Sequence, residues 1–288
     1  MTDDAPTTDA GLTTKAVPPP RARRKIRLSS SLRELWSARE LVRTLAEREL
    51  RARYSQAVLG LAWAVLTPLV LMIVFTLFFR RVADVDTEGA PYALYAYLGL
   101  LPWTFFSSSV SLGGQSLIQN LALLNKVYCP REVFPLASVI VAALDTLVST
   151  AILGLLFVIT GYAPRLTTLW VPVILVVQLA FTLGVAFTLS SVVIYLRDLR
   201  HLLPIALQLG LFATPVAYGI DAIPKSLHVL YSVFNPLAPV IDGYRRTVLF
   251  GQAPDWDLLL PAAGTAAVVL VAGYLLFKKL EAGMADVA

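Results

Sequence analysis

From Ala57 to Phe79 the chain runs for 23 residues without a charged side chain, and five more apolar stretches follow. As a helix, such a run covers roughly 35 Å at about 1.5 Å per residue, enough to cross a hydrocarbon core of about 30 Å. No water is present at that depth to satisfy open backbone groups, so each stretch is predicted to be helical. The later stretches start near Tyr92 (fading through Ser107, Ser108 and Ser109), then cover Val133–Thr160, Trp170–Leu196, Leu202–Ile220 and Leu258–Phe277. Only 15% of residues are charged, against about 25% in ordinary soluble domains. The expected fold is an all-α membrane protein with six transmembrane helices.

Charge divides the chain. Residues 1–56 hold 12 Lys/Arg against 7 Asp/Glu. Residues 1–28 are Thr-, Ala- and Pro-rich with a basic run from Arg21 to Arg27, and read as a disordered basic tail without the apolar core of a signal peptide. Its positive charge suits orientation and lipid headgroups, not nucleic acid. Residues 29–56 are predicted to form an amphipathic interface helix, opened by a capping box at Ser31–Glu34 or again at Ser37–Glu40. Leu35, Ala38, Val42 and Leu45 make its apolar stripe, facing lipid or another protein, and Glu47–Arg51 and Glu49–Arg53 are spaced to pair. Residues 57–280 make up the transmembrane body. With both termini in the cytoplasm, 18 Lys/Arg fall inside and 6 outside, as the orientation rule requires.

Several chemistries are excluded. Cys129 is the single cysteine, so no internal disulfide exists, and two histidines without clustered acids make no familiar metal set. No phosphate-binding loop occurs, so the chain does not hydrolyse ATP alone. No nucleophile triad or paired carboxylates gather in the loops, and no catalytic residue is assigned. A membrane enzyme would need acids at the interface. Asp84, Asp86 and Glu88 are the one dense group, and no histidine is near them. Ser111–Gln115 is read as a glycine pair at a helix end.

Two short segments break the spanning pattern. Gln115–Asn125 is too polar to span, yet Leu117, Leu121, Leu124 and Tyr128 share a helical stripe that ends at Pro130, which predicts a short amphipathic helix in a cytoplasmic loop. Leu227–Ile241 is apolar but half a bilayer long and carries Pro236 and Pro239, so it reads as re-entrant; Pro204 and Pro215 are expected to interrupt the span before it. Asp145 lies inside the third span, where a charge costs on the order of 3 kcal/mol, and must be paired or protonated.

Four segments, Arg51–Trp63, Leu100–Phe106, Leu124–Glu132 and Asn235–Pro239 with Tyr244-Arg245, occur in one order and together resemble the membrane permease subunit of bacterial polysaccharide ABC exporters. This is the type-two branch that moves O-antigen, teichoic acid or galactan on lipid carriers. The resemblance implies an export channel in the bacterial plasma membrane, built from two copies of the chain. It implies a partner ATPase that holds ATP and Mg while this chain binds no cofactor. It also assigns the segment between spans two and three as a coupling helix, with Asn125, Lys126, Tyr128, Pro130, Arg131 and Glu132 docking on the ATPase, and places re-entrant helices on the outer side between spans five and six. Sugar rings stack on aromatics and bond to hydroxyls, so Trp103, Phe105, Phe106, Ser107 and Ser108 are candidates for the translocation path. Tyr92, Tyr95 and Tyr97 read as an interfacial aromatic belt. Tyr231, Pro236, Pro239, Arg245 and Arg246 are candidates for an outer gate, the two arginines meeting a phosphate headgroup or anchoring the segment. The alternative function is export of a drug or small lipid.

Overall fold

The computed structural model describes residues 35–54, 62–82, 87, 89–124, 129–281 and 283–284. The tail, the capping box at Ser31–Glu34, the start of the first span and the acids Asp84, Asp86 and Glu88 lie outside them. Every regular element among the described residues is helical: α1 Arg39–Tyr54, α2 Ala62–Val82, α3 Tyr92–Gln119, α4 Leu121–Leu124, α5 Val133–Thr160, α6 Val171–Val193, α7 Leu199–Ala213, α8 His228–Phe234, α9 Leu237–Arg245 and α10 Trp256–Glu281. Among the described residues, three segments are long and apolar enough to cross a membrane: α5, α6 with the 3₁₀ turn Leu166–Trp170 before it, and α10.

The centre of the bundle is α3, which packs against α2, α5, α6, α7 and α9. At 28 residues it is roughly 42 Å long. It does not fade at the serines but runs on through Gly113 and Gly114, which lie inside the helix and not at its end. Neighbouring helices shield it from lipid, so it tolerates Ser109 and Ser116 in fully buried positions. The glycines admit close neighbours: a Cβ on Gly113 would lie 3.2 Å from that of Ala186, and one on Gly114 3.3 Å from that of Leu189. The expected amphipathic helix over Gln115–Asn125 is therefore the last turn of α3 plus the single turn α4, with Leu117 buried.

The closest helix pair is α6 with α10. A Cβ on Gly184 would lie 2.6 Å from the Leu270 nitrogen, so these backbones touch, as small residues allow in membrane bundles. The fifth apolar stretch is shorter than expected. Helix α7 has 15 residues, about 22 Å, and contains Pro204 without breaking; it ends before Pro215. Pro236 starts α9 and Pro239 sits in its first turn, where a missing N–H costs nothing. The segment Leu227–Ile241 is thus broken once, at Asn235-Pro236.

Helix α1 corrects another expectation. Its stripe packs on this chain's own α5: Val42, Leu45 and Ala46 are buried with Val133, Phe134, Ala137 and Val141. Removing Val42 and Leu45 from water contributes about 2 kcal/mol each. Glu49 and Arg53 do not pair as their spacing suggested. Both turn toward α5, Glu49 accepting from the Ser138 hydroxyl at 3.1 Å and Arg53 pairing with Asp145 at 2.7 Å. Glu47 pairs with Arg43 at 2.9 Å and more loosely with Arg51 at 3.9 Å.

Candidate functional site

Two polar clusters lie at opposite ends of the bundle. At the α1 end, Glu132 caps α5 and is 1% exposed. Its carboxylate pairs with Lys278 in the last turn of α10 and accepts a hydrogen bond from the Tyr274 hydroxyl at 3.3 Å. Lys278 also pairs with Glu281 at 2.9 Å, and Arg131 donates to the Glu281 carbonyl at 2.5 Å. A cation on the last carbonyls of a helix is favoured by their orphaned acceptors and by the helix dipole. Tyr195 adds a bond to the Leu280 carbonyl at 2.8 Å. Residues 131–132 and 274–281 therefore form one clamp.

The clamp changes the reading of the loop between α3 and α5. Asn125, Lys126 and Tyr128 lie outside the described residues. Pro130 is half-buried at the mouth of the clamp. Arg131, half-buried, and Glu132, buried, each find a partner on α10. Cys129 is half-buried and its thiol is pushed above its ordinary range, by burial first and with Arg131 opposing, which makes it a poor nucleophile.

A second charged contact joins α1 to α5. Asp145 receives Arg53 at 2.7 Å and the Tyr54 hydroxyl at 2.8 Å, so the acid inside α5 is paired, as its burial demands. One turn further on, Ser149 donates to the Ala64 carbonyl at 2.9 Å, and its own carbonyl accepts from Tyr97 at 3.0 Å. These contacts tie α1, α2, α3 and α5 together. Burial raises the Glu49 carboxyl above its usual range, only partly offset by the Ser138 hydroxyl, Arg53 and Arg48.

The opposite end is built around Arg245, 2% exposed. The chain leaves α7 at Thr214 and runs without helical bonding to Tyr218, which strands a row of carbonyls. Side chains take nearly all of them. Arg245 donates to Pro215 O at 2.9 Å, Val216 O at 2.5 Å, Tyr218 O at 2.9 Å and, on α3, Tyr95 O at 3.2 Å. Tyr92 takes Ala217 O at 2.8 Å and Tyr231 takes Ala213 O, while Thr214 O accepts from the Val216 N–H at 2.7 Å. Irregular backbone at membrane depth survives only when satisfied within the protein. The guanidinium also lies 3.7 Å from the Tyr95 ring centroid. Gly99 leaves the space: a Cβ there would lie 2.5 Å from an Arg245 nitrogen.

Tyr92, Tyr95 and Tyr97 are thus interior polar anchors and not an aromatic belt; all three are buried. Arg245 has its donors committed to carbonyls and is not presented to a headgroup. Arg246 is separate from it and donates to the Ala253 carbonyl at 3.2 Å, beside the π-helical turn Arg246–Phe250. Tyr231 is bridged by Asn235, whose amide also reaches the Thr214 hydroxyl at 2.9 Å. Pro236 and Pro239 are buried.

The aromatic candidates for the path also point inward. Trp103 packs against Gly210 of α7, where a Cβ would lie 2.8 Å from its ring, Phe106 stacks on Phe181 at 5.5 Å, and Phe105 packs with Val139, Ala142 and Ala186. Ser107 and Ser108 are half-buried. Within one chain Trp103, Phe105 and Phe106 pack into the seams of α3. Sequence reasoning missed Gln178, which links α3, α6 and α9 by donating to Pro102 O at 3.0 Å and accepting from Tyr244 at 2.8 Å. Its signal is a lone amide amid the apolar residues of α6.

Comparisons with known proteins agree with this architecture. A family model described as ABC-2 type transporter matches residues 40–249, from α1 to the π-helical turn after Arg245. The chain is 31% identical to the O-antigen export system permease protein RfbA of Myxococcus xanthus, over 88% of this chain and 98% of that protein. It is 28% identical to the RfbA permease of Klebsiella pneumoniae, over 86% of this chain and 95% of that one. With the polysialic acid transport protein KpsM of Escherichia coli it shares 26% identity, over 84% and 94% respectively. A family match over residues 40–249, well over half of the chain, together with the 31% identical relative, makes this multi-pass membrane protein a member of the ABC-2 type transporter family.

Proposed function

We propose that the chain is the permease subunit of an ATP-driven exporter that carries a lipid-linked polysaccharide, of the O-antigen, teichoic acid or galactan class, from the cytoplasmic to the outer side of the bacterial plasma membrane. The observation that carries the reading is near full-length similarity to permeases whose names state O-antigen export and polysialic acid transport. The sequence has no phosphate loop, so the work comes from a partner ATPase, which holds ATP and Mg.

In this reading α2, α3, α5, α6, α7 and α10 are the six spans, and both termini are cytoplasmic. The α1 end then faces the cytoplasm, and residues 125–132 receive the ATPase. Two copies enclose the path, which fits the inward packing of Trp103, Phe105 and Phe106: a passage that one chain does not enclose lies between chains. The helices α8 and α9, broken at Asn235-Pro236, are the outer re-entrant pair, and the carbonyl knot at Arg245 holds their entry rigid.

Depletion of the chain tests the assignment. Lipid-linked glycan should accumulate on the cytoplasmic side while surface glycan falls. Normal surface glycan together with sensitivity to a drug would refute it in favour of a small-molecule exporter. An ATPase should copurify with the chain in a 1:1 ratio of subunits.

A further inference from the structure

The clamp at the α1 end joins two helices that share no extended packing seam. Helix α5 packs chiefly on α1 and α3, with smaller contacts to α2 and α6, whereas α10 packs chiefly on α6, with α8 and α9 beside it. Between the first turn of α5 and the last turn of α10 stand Glu132 with Lys278, Glu132 with Tyr274, and Arg131 with the Glu281 carbonyl. Lys278 is the hub, since it holds Glu132 and Glu281 together, and its side chain is 12% exposed beside a Glu132 side chain 2% exposed. A pair so removed from water resists separation, because pulling it apart leaves two buried charges without partners. Among the described residues the Glu132 Oε2 atom has no hydrogen-bond partner, and Lys278 is the cation paired with this carboxylate.

We propose that Lys278 is a positioning residue that makes α10 a second output of the coupling stroke. A displacement delivered at residues 125–132 moves the first turn of α5, and the Glu132–Lys278 pair carries the end of α10 with it. Because α10 and α6 touch through Gly184 and Gly273, the displacement reaches α6 as well. The stroke then rocks two sides of the bundle together and does not tilt α5 alone. This inference rests on the ATPase-driven reading above.

The test uses the full permease with its cognate ATPase in lipid nanodiscs, with ATP plus vanadate compared against ADP. Amide exchange is followed over residues 133–137 and 274–281. In the wild type both segments should change between the two nucleotide states. In Lys278→Met the response of 133–137 should persist while that of 274–281 falls by about fivefold or more, with ATP hydrolysis within about twofold of wild type. Lys278→Arg should restore the response, and so should Glu132→Lys combined with Lys278→Glu, which keeps the pair with its charges exchanged. An undiminished response of 274–281 in Lys278→Met overturns the proposal; so does a wild type in which only 133–137 responds. Should Lys278→Met fail to assemble, the charge-exchanged variant carries the test: assembly with an uncoupled 274–281 overturns it. If no ATPase associates with the wild type, the exporter reading itself fails, and the proposal with it.

Discussion

The two ends of the molecule solve the same problem, a charge held away from water, by opposite means. At the α1 end, acids and bases from different helices face one another: Glu132 with Lys278, Asp145 with Arg53. At the other end one cation, Arg245, has four backbone carbonyls and an aromatic face. A buried ion pair joins two helices at one point and resists separation, so they can move together. A guanidinium spread over four carbonyls holds a single turn in a single shape. The first arrangement suits a part that transmits motion, the second a part that must stay still while its surroundings move.

The comparison makes its sharpest claim at Arg245. Replacement by Lys should unfold the turn between α7 and α8, because three donors on a point charge cannot meet four separate carbonyls. Each orphaned buried acceptor costs about 1–3 kcal/mol, so a loss of about 4 kcal/mol or more is expected in thermal unfolding in detergent, and Gly99→Leu should match it by displacing the guanidinium. A stable, export-competent Arg245→Lys would remove the distinction between the two ends.

Next in size is the clamp. Lys278→Met alone should cost about 3–5 kcal/mol, since it leaves Glu132 buried and unpaired, whereas Lys278→Met with Glu132→Met should recover most of that. A double variant as unstable as the single one would mean that the pair does more than neutralise itself. Asp145→Asn should have a smaller effect, about 1–3 kcal/mol, because Arg53 is partly exposed and keeps some hydration. It should show as faster proteolysis of α1 with the transmembrane body intact.

The smallest expected change is at Glu49, and it carries a sign. Its carboxyl titrates above the ordinary value of 4.5 in the folded protein, so the folded state binds its proton more tightly than the unfolded chain does. The contribution of Glu49 to α1 docking is therefore full below about pH 4.5 and is lost as pH rises through the raised folded value. Glu49→Gln should strengthen α1 docking slightly at neutral pH and abolish that part of the pH dependence, as followed by chemical unfolding of α1.

Legibility in the sequence tracked what each helix touches. The bounds expected for α5 match the structure, because a helix with a lipid-facing side must be apolar until it leaves the membrane. The serines Ser107–Ser109 suggest an end that α3 does not have, because a helix surrounded by other helices is released from that rule. Glu132 sits beside a polar loop and reads as surface, while its partner Lys278 is 146 positions away and reads as a stop signal for the last span. Arg245 and Arg246 are alike in sequence and opposite in fate. The difference lies with main-chain carbonyls, which leave no mark in side-chain identity. Trp103 and Phe106 carried the chemistry of a sugar-binding surface, but Gly210 and Phe181 occupy their faces.

By itself, the sequence determined that this chain is a helical membrane protein and where α5 begins and ends, since hydropathy is a property of local stretches. Only the tertiary structure decided which charges meet, that α1 lies on α5, and that α3 is the centre. Those outcomes depend on which helix faces which, and free energies of a few kcal/mol at distant pairs select among arrangements that the same apolar pattern permits.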